Sequence, residues 1–237
     1  LTSHPRMPRS SHVQKLSLTL LLLIILTGGA LRFAGISQKG VYEYDEADFL
    51  LRIRTLATLP KVVPNVLELL VHGGEKTQLT AFSRDAFPSG FFPSTSAMPG
   101  FLIPLATLAA FVGDHDWLPA LANALLGSAS ILLLYVLLRR LSGGMLAAVL
   151  GALLLALSPY HLLYARMGLS HLAASFFLVL GTFCYAESFA RSEQKRYRWL
   201  FGAGLAFGYL VSTFYGVLPL LAFVALEILA LLLYAPA

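Results

Sequence analysis

Apolar residues in this chain come in long runs rather than in narrow stripes. A helix that crosses a bilayer needs about 20 mostly apolar residues. Six stretches fit: 16–36, 117–138, 145–164, 168–190, 199–214 and 217–234. The fifth is short and carries Gly202, Gly204 and Gly208, small residues that let neighbouring helices approach closely. A further apolar stretch, Ala97–Gly113, contains Pro99 and Pro104. Residues 37–116 separate the first two spans. They hold one clear amphipathic pattern, Phe49–Leu59, in which Leu50, Leu51, Ile53 and Leu56 are apolar and Arg52 and Arg54 are charged. Such a helix is expected to lie along a membrane surface. Gly73-Gly74 and the Pro/Ser/Gly-rich 88–100 read as loop punctuation. The pattern predicts an all-α polytopic membrane protein. One transmembrane domain covers 1–237, with about six transmembrane helices and with amphipathic and re-entrant helices in the first large outer loop, 37–116.

Composition sharpens this picture. Of 237 residues, 57% are hydrophobic and 12% charged, with a mean hydropathy of +0.75. Soluble domains average about 45–50% apolar and about 25% charged, so an ordinary soluble domain and a disordered chain are excluded. The single cysteine, Cys184, excludes an internal disulfide and a cysteine-cluster metal site. The formal charge is +5, but the basic residues sit in short clusters between apolar runs, a membrane-topology pattern, and no nucleic-acid partner is expected. The chain opens on Leu1 and stops after an apolar run, and is read as part of a longer protein.

Those clusters predict orientation. Arg6, Arg9 and Lys15 place the N-terminus in the cytoplasm, and Arg139-Arg140 and Arg191, Lys195, Arg196 and Arg198 mark two more cytoplasmic connections. All three fall on one side only if Ala97–Gly113 does not cross, so it is expected to be interfacial or re-entrant. The first stretch also fits a signal peptide, with Gly28-Gly29-Ala30 as a small-residue site; a signal anchor serves a polytopic protein equally well. The expected location is the cell (plasma or inner) membrane.

The densest chemistry lies just outside the first span, at Tyr42-Glu43-Tyr44-Asp45-Glu46-Ala47-Asp48. Asp45 falls where the amphipathic helix begins. Backbone N–H groups and the helix dipole favour an anion there, so a carboxylate stays ionised and suits a base or a cation ligand. The plainer reading is a helix cap with flanking acids. Arg32, near the outer end of the first span, can reach toward the same place or snorkel to headgroups. Glu187 is placed to meet Arg191 as an i,i+4 pair. His115 reads as a solvated turn residue and His161 as interfacial. Glu227 lies in an apolar run with no assigned role.

The order of these features resembles a known family. An arginine ends the first span, and a tyrosine-flanked Asp-Glu pair opens an outer helix. A proline-containing apolar helix follows from Met98-Pro99-Gly100 to Gly113. Then come Leu118-Pro119-Ala120, Arg139-Arg140-Leu141, a span ending Ser158-Pro159, and Tyr164-Ala165-Arg166-Met167-Gly168-Leu169. From Leu31 to Glu187 this resembles the GT-C glycosyltransferases that use lipid-phosphate sugars, among them the protein O-mannosyltransferases and the lipid A aminoarabinose transferases. The resemblance implies that Asp45 is the catalytic acid residue with Glu46 as its neighbour. It puts His171 at the polar position that starts the fourth span, with Arg166 one turn earlier. The chain departs from the family in lacking a basic residue before Pro99 and a lysine near Thr213.

On this reading the partners are a polyprenyl-phosphate sugar donor, membrane lipids, and an acceptor lipid, protein or glycan. The acceptor attacks the anomeric carbon opposite the phosphate, giving inversion, and Asp45 takes its proton. Arg32, Arg166 and His171 bind the departing phosphate. A divalent cation held by Asp45, Glu46 and His171 is the alternative. Two other functions compete. A transporter of lipid-linked sugar would place ionisable residues at mid-span in paired repeats, and here they cluster outside. A non-catalytic membrane subunit is supported by the two missing basic residues.

Overall fold

The computed structural model describes residues 11–38, 41, 45–57, 98–113 and 115–214. The expected sixth span, 217–234, the bulk of the outer segment, 58–97, and Arg6 and Arg9 lie outside these residues. Among the described residues every regular element is helical. They are α1 (Ser11–Phe33), followed by a 3₁₀ turn at Ile36–Gln38; α2 (45–57); α3 (Pro99–Val112); α4 (Leu118–Ser142); α5 (Met145–Leu157); α6 (Pro159–Ala165); α7 (His171–Ser188); and α8 (Glu193–Thr213).

Two of these, Lys15–Gln38 and Leu118–Ser142, are each long and apolar enough to cross a membrane, and α5 with α6 makes a third when taken together. That pair is not straight. Its two helices meet at 57°, because Pro159 has no N–H to continue the ladder and the residue before a proline is driven to an extended ψ. Ser158 obeys, with ψ 120, and its hydroxyl accepts the His161 N–H to start α6. Two further expectations shift. Helix α8 starts at Glu193, inside the basic cluster rather than after it. Helix α2 is not a free surface helix: Phe49 and Ile53 are buried against Phe101, Leu102 and Leu105 of α3.

Small residues set the packing. Ala148, Ala152 and Ala156 recur every fourth residue of α5 and are buried against Leu21 and Ile24 of α1 and Ile131 and Tyr135 of α4. Without a water-driven force between helices in lipid, such close backbone approach is the main source of association. Helices α7 and α8 pack as a hairpin, and α4 is central, meeting α1, α5 and α7.

The contacts sort the helix ends into two sets. At one end lie Arg32 of α1, Glu46 of α2, the start of α4, the 164–171 turn and the end of α8. At the other, Ser17 of α1 meets Tyr135 (2.9 Å), and Arg140 meets Glu187 (2.9 Å). Helix α3 starts and finishes at the first end. Tyr209 of α8 donates its hydroxyl to Gly100 O (2.5 Å), and a Cβ at Gly100 would overlap Ser212 Oγ. The other terminus of α3 leads within a few residues to buried Leu118, which shares a core with Met167 and Leu169.

Candidate active site

Glu46 is 5% exposed, and its Oε1 accepts the backbone N–H of Gly168. That contact fastens the acidic motif to the 164–171 turn across more than a hundred residues. Gly168 is the residue that permits it: a Cβ there would lie 3.0 Å from Pro119 Cβ and 3.1 Å from Glu46 Cγ. The turn is held from behind by Asn123 of α4, fully buried, whose Nδ2 donates to Met167 O (2.7 Å) and Leu169 O (2.6 Å). The two short bonds to carbonyls assign the amide orientation.

Asp45 stands beside Glu46 at the start of α2 and is exposed. Asp48 pairs with Arg52 one turn on (2.7 Å), and Arg54 pairs with Asp116 (2.6 Å), which ties α2 to the start of α4. Arg166 is exposed and donates to Ala34 O (3.0 Å), just past the end of α1. His171 is exposed at the first residue of α7. Its ring stacks on Tyr164 at 5.2 Å between centroids and is tilted against Phe214 at 4.7 Å. Arg166, His171 and the Asp45-Glu46 pair are therefore gathered at one end of the bundle, and Glu46 is the member that touches the turn.

Arg32 behaves differently from the expectation of a surface phosphate contact. Its side chain is fully buried. Nη1 donates to Gly28 O (2.7 Å) and Ala156 O (3.2 Å), and Nη2 donates to Leu155 O (3.1 Å) and meets His161 Nδ1 (2.7 Å). The physical reason is the break after α5. A helix end leaves its last carbonyls without partners, and Pro159 supplies no N–H. The carbonyl end of a helix carries partial negative charge, which draws a cation. Arg32 thus occupies the gap in the third span, and His161 is its partner rather than an interfacial residue. The Nδ1 of a histidine facing a guanidinium must be the acceptor, so this imidazole carries its proton on Nε2.

Among the described residues no three His, Cys, Asp or Glu side chains converge as a metal site, and one carboxylate oxygen of Glu46 is engaged by Gly168. The cation reading of Asp45, Glu46 and His171 therefore has no converging set of three donors among the described residues.

An apolar groove of ≈ 310 Å³ runs beside this end, between α3, α4, α7 and α8. Phe101, Pro104, Leu108, Leu125, Phe177 and Tyr209 are among its walls, and Ala173, two residues after His171, lines it too.

The sequence reading passed over Asn123, took His161 as interfacial, and named Gly168 only as part of the 164–169 turn. For Asn123 a signal existed: a lone amide in an apolar span is expensive unless hydrogen-bonded. Arg32–His161 and Glu46–Gly168 had none, since each pairs residues from distant parts of the chain.

Comparison of the chain with curated proteins and with solved structures finds no match. A family model described as dolichyl-phosphate-mannose-protein mannosyltransferase matches residues 107–235. The match holds α4 to α8 and the turn that binds Glu46, whereas Arg32, Asp45 and Glu46 precede it. With more than half of its length matched, and with helices fit to span a membrane, the chain belongs to the dolichyl-phosphate-mannose-protein mannosyltransferase family, a family of membrane glycosyltransferases of the GT-C type.

Proposed function

We propose that this chain transfers a sugar from a polyprenyl-phosphate donor to an acceptor on the outer face of the cell membrane, with inversion at the anomeric carbon. The observation that carries this reading is the docking of Glu46 on Gly168, which puts the exposed Asp45 at the same end as Arg166 and His171. The adjoining apolar groove supports a donor whose tail stays in the bilayer.

Asp45 is the base. The acceptor hydroxyl or amine forms a bond to the anomeric carbon as the bond from that carbon to the phosphate oxygen breaks. The acceptor's proton passes to the Asp45 carboxylate, and the electron pair leaves with the lipid phosphate. General-base catalysis of this kind contributes about 10²–10⁴-fold. Arg166 and His171, both exposed at the site, meet the charge that develops on the leaving phosphate. Glu46 positions Asp45 through Gly168. Arg32 takes no part in binding phosphate. It holds the bent third span that carries the turn.

Six membrane crossings and a cytoplasmic N-terminus complete the proposal. Support comes from the gathering of Arg139, Arg140 and Arg191 at the end of the bundle opposite the acidic motif, together with the positive-inside tendency. Helix α3, a single helix with both termini at the acidic end, does not cross on this reading and is interfacial rather than re-entrant.

The test is Asp45→Asn in the purified full chain, with sugar transfer from a polyprenyl-phosphate donor as the readout. Asn has the same size and can still start a helix, but it takes no proton. Transfer is expected to fall at least about 10²-fold with thermal unfolding unchanged. Near wild-type transfer would sink the assignment. Chelation is expected to leave wild-type transfer unchanged, and loss on chelation would restore a cation to the mechanism.

A further inference from the structure

The basic end of the bundle has a pocket of its own, remote from the acidic motif. It measures ≈ 420 Å³ and is lined by Arg191, Glu193, Arg196, Tyr197 and Leu200, where α7 turns into α8. From Arg191 to Arg198 the chain carries four basic residues and one acid. Arg191 is paired with Glu187 (2.6 Å) yet 45% exposed, and Arg196 lies over the Phe189 ring at 5.7 Å. Glu187 is already shared with Arg140, so the pocket keeps a net positive character.

A stripe of apolar surface leads away from it. Tyr197, Phe201 and Leu205 recur at every fourth residue of α8, one above the other on one face, and are 64%, 69% and 60% exposed. Phe189 beside Arg196 is equally bare. In water a stripe this size would be a liability. In a bilayer it is a bed for an acyl chain.

We propose that this pocket binds an anionic phospholipid of the phosphatidylglycerol type from the leaflet that meets the basic end. Its phosphate sits between Arg191 and Arg196, and one acyl chain lies along Tyr197, Phe201 and Leu205. Planar guanidinium groups suit phosphate oxygens, because their N–H donors match two oxygens at once. Glu193 on the same wall repels a second negative charge but accepts a hydrogen bond from a headgroup hydroxyl, which phosphatidylglycerol supplies. Basic pockets between helices at the membrane surface take lipid headgroups for this reason. Nucleic acid and free phosphate would leave the apolar stripe unused.

The test measures lipid retention by native mass spectrometry on the purified full chain in neutral detergent. Phosphatidylglycerol is expected to bind at least about tenfold more tightly than phosphatidylcholine, and less tightly as salt rises. One charge near a membrane surface is worth about fivefold in affinity, so Arg196→Gln should weaken phosphatidylglycerol about fivefold and Arg196→Glu about 25-fold. Arg196→Lys keeps the charge but loses the paired donors, so it should weaken phosphatidylglycerol by less than Arg196→Gln does. Phe201→Ser should weaken the lipid, and millimolar inorganic phosphate should not displace it. Thermal unfolding without lipid reports whether each variant folds, and Arg196→Gln serves if the charge reversal does not. Equal binding of the two lipids, unchanged binding by a folded Arg196→Gln, or displacement by inorganic phosphate would each overturn the proposal. Sugar transfer plays no part in these readouts, so the proposal stands or falls apart from the catalytic one.

Discussion

Two buried charges at opposite ends of this bundle are held in opposite ways. Glu187, 6% exposed, sits at the basic end between Arg140 and Arg191, an acid matched by two cations. Arg32, fully buried at the other end, has carbonyl oxygens and a histidine around it in place of a carboxylate. The difference teaches that a broken helix can stand in for a counterion. The carbonyls that Pro159 frees carry enough negative potential, and enough lone pairs, to hold a guanidinium. An ion pair of the Glu187 kind tolerates a shift in helix position, because both arginines reach solvent. The Arg32 arrangement does not, since its acceptors are backbone atoms at set places on α1 and α5.

The largest effect should come from deleting Arg32. Arg32→Met leaves the carbonyls of Leu155 and Ala156 and the nitrogen of His161 buried without their donor. Each unsatisfied group costs about 1–3 kcal/mol, so a loss of at least about 3 kcal/mol is expected, read as a fall in thermal or denaturant midpoint in detergent. Arg32→Lys keeps the charge but offers a single donor point, and should recover only part of it. A Met variant as stable as wild type would break the comparison, because the freed carbonyls would then need no cation.

Glu187→Gln should cost less, about 1–2 kcal/mol. Arg140 and Arg191 lose their shared carboxylate, but both are partly exposed and water takes its place. A loss larger than that of Arg32→Met would reverse the ranking of the two ends.

Gly168→Ala probes how tightly the acidic motif is docked. The added methyl would lie 3.0 Å from Pro119 Cβ and 3.1 Å from Glu46 Cγ, inside ordinary van der Waals contact, so a neighbour must shift, and a destabilisation of about 1 kcal/mol is expected. Sugar transfer should fall by more than stability does, since Glu46 is the group displaced. Equal transfer by this variant would mean that the docking contact is dispensable.

The smallest effect should come from the exposed Arg54–Asp116 pair. Its partners are 41% and 51% exposed, and such pairs are worth about 0.2–1 kcal/mol and fade with salt. Asp116→Asn should lower the unfolding midpoint slightly at low salt and not at all at high salt. A large, salt-independent loss would show that α2 is fixed to α4 at this point rather than through Glu46.

Much of the fold was legible along the chain. Apolar runs located α1, α4 and α7 to within five residues and the end of α8, whose start lies six residues before its apolar run, because helix formation and membrane solubility are both properties of a local window. Pro99 and Gly113 bounded α3, and Glu187–Arg191 was readable because residues four apart share a helix face. The bend at Ser158-Pro159 was marked by its proline, yet a continuous 145–164 hydropathy signal concealed it. At the site, the grouping of Asp45, Arg166 and His171 at one end follows from alternating spans.

What the chain alone determined, then, is which segments are helical, where the ladder breaks and where positive charge collects. Only the tertiary structure decided which polar group fills each buried vacancy. Arg32 reaches carbonyls and a ring nitrogen more than 120 residues away, and Glu46 reaches the Gly168 N–H over a similar separation. Hydropathy reports how well a residue suits lipid. It carries no record of which neighbour will be short of a hydrogen-bond donor or acceptor once the helices meet, and that shortage is what brought these side chains to their places.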